Sequence, residues 1–457
     1  MAVAVPERRT SLHGQWSSRF AFILAVSGSA IGLGNIWKFP YIAGVNGGGA
    51  FVLVYLLCVF MVGLPIMMAE ILIGRRGRRN PIATMALLGE EEGGSRHWGL
   101  IGVAGVITGF LILSYYSVIA GWALAYIFES ASGAFVEVDS AGVDEIFSGL
   151  SGSWIATGFW HTLFMVMTTV VVSRGVERGL ERAVRVLMPA LVVLLLMLLG
   201  YSIIAGDFAQ GLRFMFEPKF SELTRAGALA ALGHAFFTLS VGMGAVMAYG
   251  AYLPAGASIA RTSVAVICAD TGIAIVAGLV IFPIVFANGL DPAAGPGLIF
   301  QTLPLAFGQM PGGIIVAVLF FLLLTFAAWT SAISLMEPAV AWLIETAKLR
   351  RTSAAGLVGV TTWVLGFLSV GSFNVLANFR LFGRTLFDNL DFLTSNIMLP
   401  LGGLAIVFFA GWVMSRNSSA DELDPAAGPG YRAWCFAARY IAPVAVVLIF
   451  LNAVGLF

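Results

Sequence analysis

The residues best suited to bind an ion lie at positions 28–35, which read Gly-Ser-Ala-Ile-Gly-Leu-Gly-Asn inside an apolar segment from about Phe20 to Val45. A glycine costs ~1 kcal/mol relative to alanine in a helix interior, so three of them within eight residues predict a broken helix. In lipid, such a break is tolerated only where it lines a cavity or is buried in protein. Its freed carbonyls can coordinate a cation and its half-helix ends can face a substrate. The alternative is a tight helix-packing face of small residues.

The composition indicates the environment of this stretch. The chain has 457 residues, of which 59% are hydrophobic and only 11% are charged, and its mean hydropathy is +0.94. Soluble domains carry ~25% charged residues, so the composition predicts an all-α integral membrane protein that crosses the bilayer many times. The net charge of +1 gives no reason to expect a nucleic-acid partner.

Apolar runs long enough to span a bilayer predict about eleven transmembrane helices. Basic residues concentrate in alternate loops, as at Arg75–Arg79 and at Lys348–Arg351, and before the first run at Arg8, Arg9 and Arg19. The excess of positive charge predicts a cytoplasmic N-terminus, and an odd number of spans then puts the C-terminus outside. The runs are 17–42, 49–73, 98–128, 155–173, 184–205, 227–253, 262–287, 313–344, 354–371, 393–415 and 436–457.

A second interrupted span lies at residues 234–244, which read His-Ala-Phe-Phe-Thr-Leu-Ser-Val-Gly-Met-Gly in the sixth run. Broken helices 1 and 6 occupy matching positions in two five-span halves, which is typical of a transporter built from a 5+5 inverted repeat. The prediction depends on position and composition, because no residue-level repeat is evident. It divides the chain into a cytoplasmic segment 1–16, a first repeat 17–205, an extracellular loop 206–226, a second repeat 227–415, and a cytoplasmic loop with the last span at 416–457.

Several motifs along the chain resemble those of the neurotransmitter:sodium symporter family, and the likeness covers essentially all of it. The chain is most similar to the family's bacterial branch of eleven-span hydrophobic amino-acid transporters. The resemblance implies Na⁺-coupled symport by alternating access in the inner membrane. The motifs are Trp16, residues 28–35, Lys38-Phe-Pro40, Asn46–Phe51, Pro65–Glu70, Phe236–Ser240, Thr330-Ser331 and Asp388–Phe392.

The resemblance implies about two sodium ions. By that match the first ion has as ligands the Ala30 carbonyl, Asn35, Thr238 and a polar residue of the seventh span, for which Asp270 is the candidate. An ionisable residue within a span is a functional hypothesis by default, although Asp270 can also be a packed, hydrogen-bonded carboxyl. Bacterial relatives place a fixed carboxylate where others use chloride, so we expect no chloride requirement.

The second ion site is implied at five further residues. Its candidate ligands are the carbonyls of Gly28, Ile31 and Ala327 and the hydroxyls of Thr330 and Ser331. The alternative for the two hydroxyls is a hydrogen bond to a carbonyl one turn back in their own helix.

The resemblance also implies a substrate pocket with a largely apolar wall. Gly32 stands where monoamine carriers have an aspartate, so the substrate must bring its own carboxylate to the sodium ion and the helix N-terminus. Met243 is flexible and replaces a phenylalanine of the leucine-selective relative, which favours branched and aromatic amino acids. The implied pocket residues are Ser29, Ala30, Gly32, Ile112, Tyr116, Phe237, Thr238, Ser240, Met243, Ser331 and Leu335.

Gates are implied on both sides of the pocket. Outside, Tyr116 and Phe237 cap it, and Lys38 faces Asp391 as a point charge where arginine is usual. Inside, Trp16 is accompanied by a pair between Glu345 and either His13 or Arg9; His13 can instead be a solvated tail residue.

Gly179 and Pro189, with nine residues between them, resemble the family's helix-unwinding motif. A proline in a helix removes a backbone hydrogen bond and creates a weak point. The alternative is an ordinary packing kink.

Other classes of function fit the residues less well. An ion channel is disfavoured because there is no repeated filter-like loop, and an enzyme because no cluster of catalytic groups appears. A substrate-sensing receptor of transporter descent and a carrier of another small carboxylate-bearing solute stay open. The expected partners are an amino acid, sodium and the lipid bilayer, with the chain a monomer or weak dimer.

Overall fold

The computed structural model describes residues 9–453, so Arg8 and the rest of 1–8, as well as 454–457, lie outside the described residues. Within 9–453 the chain forms helices and no strand. The α-helices are α1 Arg19–Ala30, α2 Phe39–Val45, α3 Gly49–Cys58, α4 Leu64–Gly77, α5 Pro81–Gly93, α6 Gly99–Ala131, α7 Ser140–Ser151, α8 Trp154–Ser173, α9 Arg182–Ala205, α10 Phe208–Phe216, α11 Arg225–Thr238, α12 Ala245–Ala251, α13 Ile259–Ala287, α14 Leu303–Gln309, α15 Gly313–Ala347, α16 Arg351–Ser372, α17 Leu386–Asp391, α18 Leu399–Phe408, α19 Arg416–Leu423, α20 Pro429–Phe436 and α21 Ala442–Ala453.

Short π-helical segments connect several of these helices without ending the span. Such segments add a residue to one turn and occur often at functional sites. A short 3₁₀ turn at Arg96–Trp98 precedes α6. The π-helical segments in the described part of the chain are Gly34–Lys38, Val59–Gly63, Val176–Glu181, Leu298–Thr302, Phe392–Met398, Phe409–Val413 and Ala437–Ile441.

The number of membrane spans agrees approximately with the predicted eleven. Among the described residues, eight helical stretches have the length and apolar composition needed to cross a bilayer. A ninth is the pair Arg19–Ala30 and Gly34–Val45, which is bent by 50°. The predicted sixth span is divided between α11 and α12. The predicted eleventh begins at the end of α20 and continues through the π-helical segment Ala437–Ile441 into α21.

The first predicted break lies between α1 and the π-helical segment Gly34–Lys38. The Ser18 side chain accepts a hydrogen bond from the Ala21 N–H and caps the start of α1. At the other end, Ile31 adopts an extended conformation with φ −74° and ψ 103°, so the helix stops after Ala30. The bend therefore falls within the glycine-rich stretch, as the sequence predicts.

The second predicted break lies between α11 and α12. Gly242 and Gly244 have φ angles of +89° and +75°, a conformation that glycine adopts at little cost. Ser240 has φ +53° and is one of the few other residues in this left-handed region. The glycines of the sequence therefore serve to unwind the sixth span at mid-length.

Close helix packing holds the unwound regions between continuous helices. The helix α1 packs against α13 and α15, and α12 packs against α4. At the α4–α12 contact, a Cβ atom added to Gly74 would lie 2.0 Å from the Met247 carbonyl oxygen. Glycine at this position therefore lets the two backbones approach each other closely, as small residues do between membrane helices.

We expect Gly74→Ala to lower the thermal unfolding midpoint of the purified protein. The new methyl group meets backbone that cannot turn aside, and overpacking of this kind costs about 1–3 kcal/mol. Gly272→Ala in α13 is the matched control, because nothing lies within 4 Å of its added Cβ atom and alanine favours a helix. Equal midpoints for the two variants would contradict the close approach of α4 and α12.

Candidate ion and substrate site

Three of the four residues predicted for the first ion are in direct contact. The Asn35 amide nitrogen donates to Asp270 Oδ1 at 2.7 Å and to the Asp270 carbonyl at 3.1 Å. The Thr238 hydroxyl lies 3.1 Å and 3.2 Å from the two Asp270 carboxylate oxygens. Ala30, the fourth residue, ends α1 at the same break. Two broken helices and α13 thus meet at one buried cluster of polar side chains.

The residues predicted for the second ion also lie together, between α1 and α15. The Ser331 hydroxyl is 3.4 Å from the Gly28 carbonyl oxygen and 3.2 Å from that of Ile31. The Thr330 hydroxyl donates to the Ala327 carbonyl at 3.0 Å, which is the bond within the helix that the alternative interpretation describes. A Cβ atom added to Gly28 would lie 3.3 Å from Thr330 Cβ, so the two helices touch here.

A small cavity of about 20 Å³ lies beside these two clusters. This volume accommodates about one water molecule. Ten of the eleven predicted pocket residues line the cavity, and Thr238 does not. Gly34 and Leu399 also line it, although neither was among the predicted pocket residues. The lining residues are Ser29, Ala30, Gly32, Gly34, Ile112, Tyr116, Phe237, Ser240, Met243, Ser331, Leu335 and Leu399.

Gly32 leaves no space for a side chain at the polar end of this cavity. An added Cβ atom would lie 2.4 Å from Ser331 Oγ and 2.6 Å from the Tyr116 hydroxyl oxygen. The same tyrosine hydroxyl accepts a hydrogen bond of 3.1 Å from the Leu33 N–H, in the break of the first span. The polar end of the cavity is therefore formed by hydroxyl groups and freed backbone.

A larger cavity of about 330 Å³ lies on the side of the site that carries Lys38. Lys38 Nζ is 3.3 Å from Asp391 Oδ1 and 4.4 Å from the centroid of the Phe237 ring. The Tyr115 hydroxyl also donates to Asp391, at 3.2 Å. Phe237 and Tyr116 line both cavities, so they separate the small one from the large one.

The opposite side of the site is closed by the N-terminal segment. His13 Nε2 lies 2.8 Å from Glu345 Oε1, whereas Arg9 bonds Glu91 and the Arg76 carbonyl. Of the two candidates for the Glu345 partner, the structure therefore joins His13 to it. Trp16 is buried, and its indole N–H donates to the Tyr249 carbonyl at 3.2 Å.

Further groups, which no sequence motif indicated, hold this side together. Asn80 donates to both carboxylate oxygens of Glu345, from its backbone and its side chain, at 2.7 Å and 2.8 Å. Glu337 is fully buried between Arg351 and the Tyr252 hydroxyl. A glutamate within an apolar run was an available signal for Glu337, because such residues in spans carry partners or function.

Glu70 has a structural role that the sequence motif did not reveal. Its carboxylate accepts a hydrogen bond of 2.5 Å from the Gly242 N–H and one of 3.2 Å from the Met247 N–H. These donors belong to the unwound segment of the sixth span and to the start of α12, where the break leaves them without partners in their own helix. The signal was a buried carboxylate in an apolar run of the second span.

The predicted unwinding motif lies at the start of the fifth span. Gly179 is within the π-helical segment Val176–Glu181, and Pro189 is inside α9. Between them, Val184 and Met188 pack against Gly28: an added Cβ atom there would lie 3.2 Å from Met188 Sδ. The fifth span therefore contacts the first span at the predicted second ion site.

We expect His13→Ala to increase hydrogen–deuterium exchange of residues 10–19, whereas Arg9→Ala leaves the exchange of that segment close to the native value. His13 contacts the buried Glu345 carboxylate, and removal of one partner of a buried polar pair costs about 1–3 kcal/mol. Arg9 contacts the exposed Glu91, where an ion pair contributes little. A larger effect from Arg9→Ala would show that Arg9 holds the segment.

Comparisons with known proteins agree with this arrangement. Residues 13–137 and 154–456 match the model of the "Sodium:neurotransmitter symporter family". The sodium-dependent transporter YhdH of Bacillus subtilis is 37% identical over 97% of this chain and 98% of its own length, and a sodium-dependent transporter of Haemophilus influenzae is 31% identical over 96% and 97%. The crystal structure of MhsT in complex with L-phenylalanine matches with a TM-score of 0.89 and 42% identity over 96% of this chain and 99% of that one. The chain therefore belongs to the sodium:neurotransmitter symporter family.

Proposed function

We propose that the protein is a symporter that uses the sodium gradient to import neutral, hydrophobic amino acids by alternating access, without a chloride requirement. Membership of the family makes it a multi-pass, sodium-dependent membrane transporter and not an enzyme. The proposal adds the substrate class, the direction of transport, the ions and the residues that bind them.

The observation that carries the proposal is the contact of Asn35, Thr238 and Asp270 across the two broken helices. Amide, hydroxyl and carboxylate oxygens at the ends of discontinuous helices are suited to Na⁺. In the proposed first site the Ala30 carbonyl and the substrate carboxylate complete the shell. A second ion takes the carbonyls of Gly28, Ile31 and Ala327 with the hydroxyls of Thr330 and Ser331, for a total of about two.

The substrate class follows from the cavity wall. The side chains that face the cavity opposite the polar end are apolar, including Ile112, Met243 and Leu335. The lack of space at Gly32 excludes a protein carboxylate there, so a ligand that carries its own carboxylate is favoured. MhsT was crystallised with L-phenylalanine, which supports large branched and aromatic amino acids as the first substrates to test.

Alternating access is proposed to use the two closed sides of the site. The pair Lys38–Asp391, with Tyr116 and Phe237, forms the outer gate, and Trp16 with the pair His13–Glu345 forms the inner gate. In this proposal the N-terminus is cytoplasmic, the C-terminus is outside, and the chain lies in the inner membrane as a monomer or weak dimer. Unwinding between Gly179 and Pro189 then gives water access to the second sodium ion.

We expect the protein, reconstituted in liposomes, to take up radiolabelled leucine, phenylalanine or tryptophan only under an inward Na⁺ gradient. Replacement of chloride by gluconate should leave the rate unchanged. Asn35→Ala should abolish uptake, because it removes a ligand of the proposed first ion. Asn288→Ala is the control, since Asn288 lies at the end of α13 and its side-chain amide bonds only the Ile284 carbonyl among the described residues.

Each other outcome of this experiment identifies a different function. Sodium-dependent binding without uptake would favour a substrate-sensing receptor. Uptake of none of the three amino acids by folded protein would favour another small carboxylate-bearing solute. A loss of uptake in gluconate would contradict the role of Asp270 as the fixed negative charge.

Asp270→Asn should raise the sodium concentration for half-maximal uptake by more than tenfold. The variant keeps the shape and the hydrogen bonds to Asn35 and Thr238 but removes the charge, and two unit charges 4 Å apart interact by about 4 kcal/mol at an effective dielectric constant of 20. The measurement is the sodium dependence of leucine uptake, with chloride present and absent. An unchanged sodium dependence would exclude Asp270 from the ion site.

A further inference from the structure

Leu399, which no motif in the sequence pointed to, lines the small cavity. It is the first residue of α18, in the predicted tenth span, and its side chain is 1% exposed. The residues predicted for the pocket come from the first, third, sixth and eighth spans. Leu399 therefore adds a wall from a fifth helix.

The backbone around Leu399 is held against the unwound part of the sixth span. A Cβ atom added to Gly242 would lie 2.4 Å from the Leu399 carbonyl oxygen, and one added to Gly402 would lie 2.2 Å from the Gly242 carbonyl oxygen. Gly242 is itself fixed by its hydrogen bond to Glu70. The tenth span therefore cannot move away from Met243, the next residue of the unwound segment, without breaking this contact.

The π-helical segment Phe392–Met398 ends directly before Leu399. One additional residue in a turn rotates every later side chain around the helix axis, compared with an uninterrupted α-helix. Pro400, which cannot donate a backbone hydrogen bond, follows at once and is compatible with this change of hydrogen-bond register. The same segment begins directly after Asp391, the partner of Lys38.

The size of the cavity makes this wall important. A volume of about 20 Å³ cannot hold an amino-acid side chain, so the side chains of the wall must turn to admit one. Because the backbones of Leu399 and Gly242 are closely packed, space at this part of the wall comes from rotation of the Leu399 and Met243 side chains.

We propose that Leu399 is a specificity-determining residue, whose side chain sets the largest amino-acid side chain that the pocket accepts. This inference depends on the proposed function as an amino-acid symporter. It predicts that a change in the volume of residue 399 shifts the order of preference among substrates, rather than scaling all of them together.

The test measures KM for the sodium-dependent uptake of alanine, valine, leucine, phenylalanine and tryptophan in proteoliposomes. Leu399→Ala should raise KM for valine and leucine about tenfold relative to tryptophan, the range expected for lost methylene contacts in an apolar pocket. Leu399→Phe should do the reverse, with KM for tryptophan raised at least about tenfold relative to alanine. The sodium dependence should stay within about twofold of native, because Leu399 is not one of the proposed ion ligands. The control is Leu401→Ala, which changes a partly exposed leucine of the same helix.

Two results would overturn the inference. One is an equal change of KM for all five substrates in both variants, and the other is no change in either. If the two variants unfold, as judged by the thermal unfolding midpoint in sodium, Leu399→Val replaces them and must still shift KM for valine relative to tryptophan. If the native protein transports none of the five amino acids, the proposed function fails instead, and the comparison of variants does not arise.

Discussion

The arrangement of this protein depends on how polar backbone is satisfied where two helices break inside an apolar environment. An unpaired N–H or C=O group in the hydrocarbon region costs several kcal/mol, so a break persists only if other helices supply the missing partners. Here the Glu70 carboxylate accepts hydrogen bonds from two N–H groups of the sixth span. The hydroxyls of Ser240 and Ser331 both donate to the Ser29 carbonyl in the first span. Each break is thus bonded to a neighbouring helix, and the position of one break fixes the other.

Under the proposed mechanism, the groups that satisfy the breaks are also those that bind the ions. The Asn35 side-chain oxygen accepts the Gly32 N–H at 3.0 Å, and the Thr238 hydroxyl bonds Asp270. A sodium ion at the first site would attract the same oxygen atoms. Because the substrate carboxylate completes the shell of that ion, each ligand would raise the affinity for the other by the same factor.

The sequence was sufficient to predict the two breaks and many of the polar and charged residues that lie together around them, because glycine, hydroxyl and charged residues are conspicuous in apolar runs. Their roles as ion ligands and gates stay predictions. Asp270 is a carboxylate within an apolar run, and the structure places it against Asn35. The roles of Asn80 and Leu399 could not be predicted in this way. Both depend on which residues of distant helices meet, and for Leu399 also on a π-helical turn that sequence periodicity does not reveal. The span count was approximate for a related reason: α11 and α12 are short because the break divides them.

On the side that carries Lys38, the proposed outer gate and the proposed pocket share residues. Phe237 lies under the Lys38 ammonium group and also lines the small cavity. Tyr115 and Tyr116 are adjacent on α6 but have different hydrogen-bond partners. The Tyr115 hydroxyl donates to the Asp391 carboxylate, and the Tyr116 hydroxyl accepts from the Leu33 N–H in the first break. A ligand that moved Tyr116 or Phe237 would therefore disturb the surroundings of the Lys38–Asp391 pair. Since a lysine makes a single point-charge contact where an arginine would make two parallel hydrogen bonds, this pair is the more easily separated. Closure of this side then depends on the aromatic residues that face the cavity as much as on the ion pair above them.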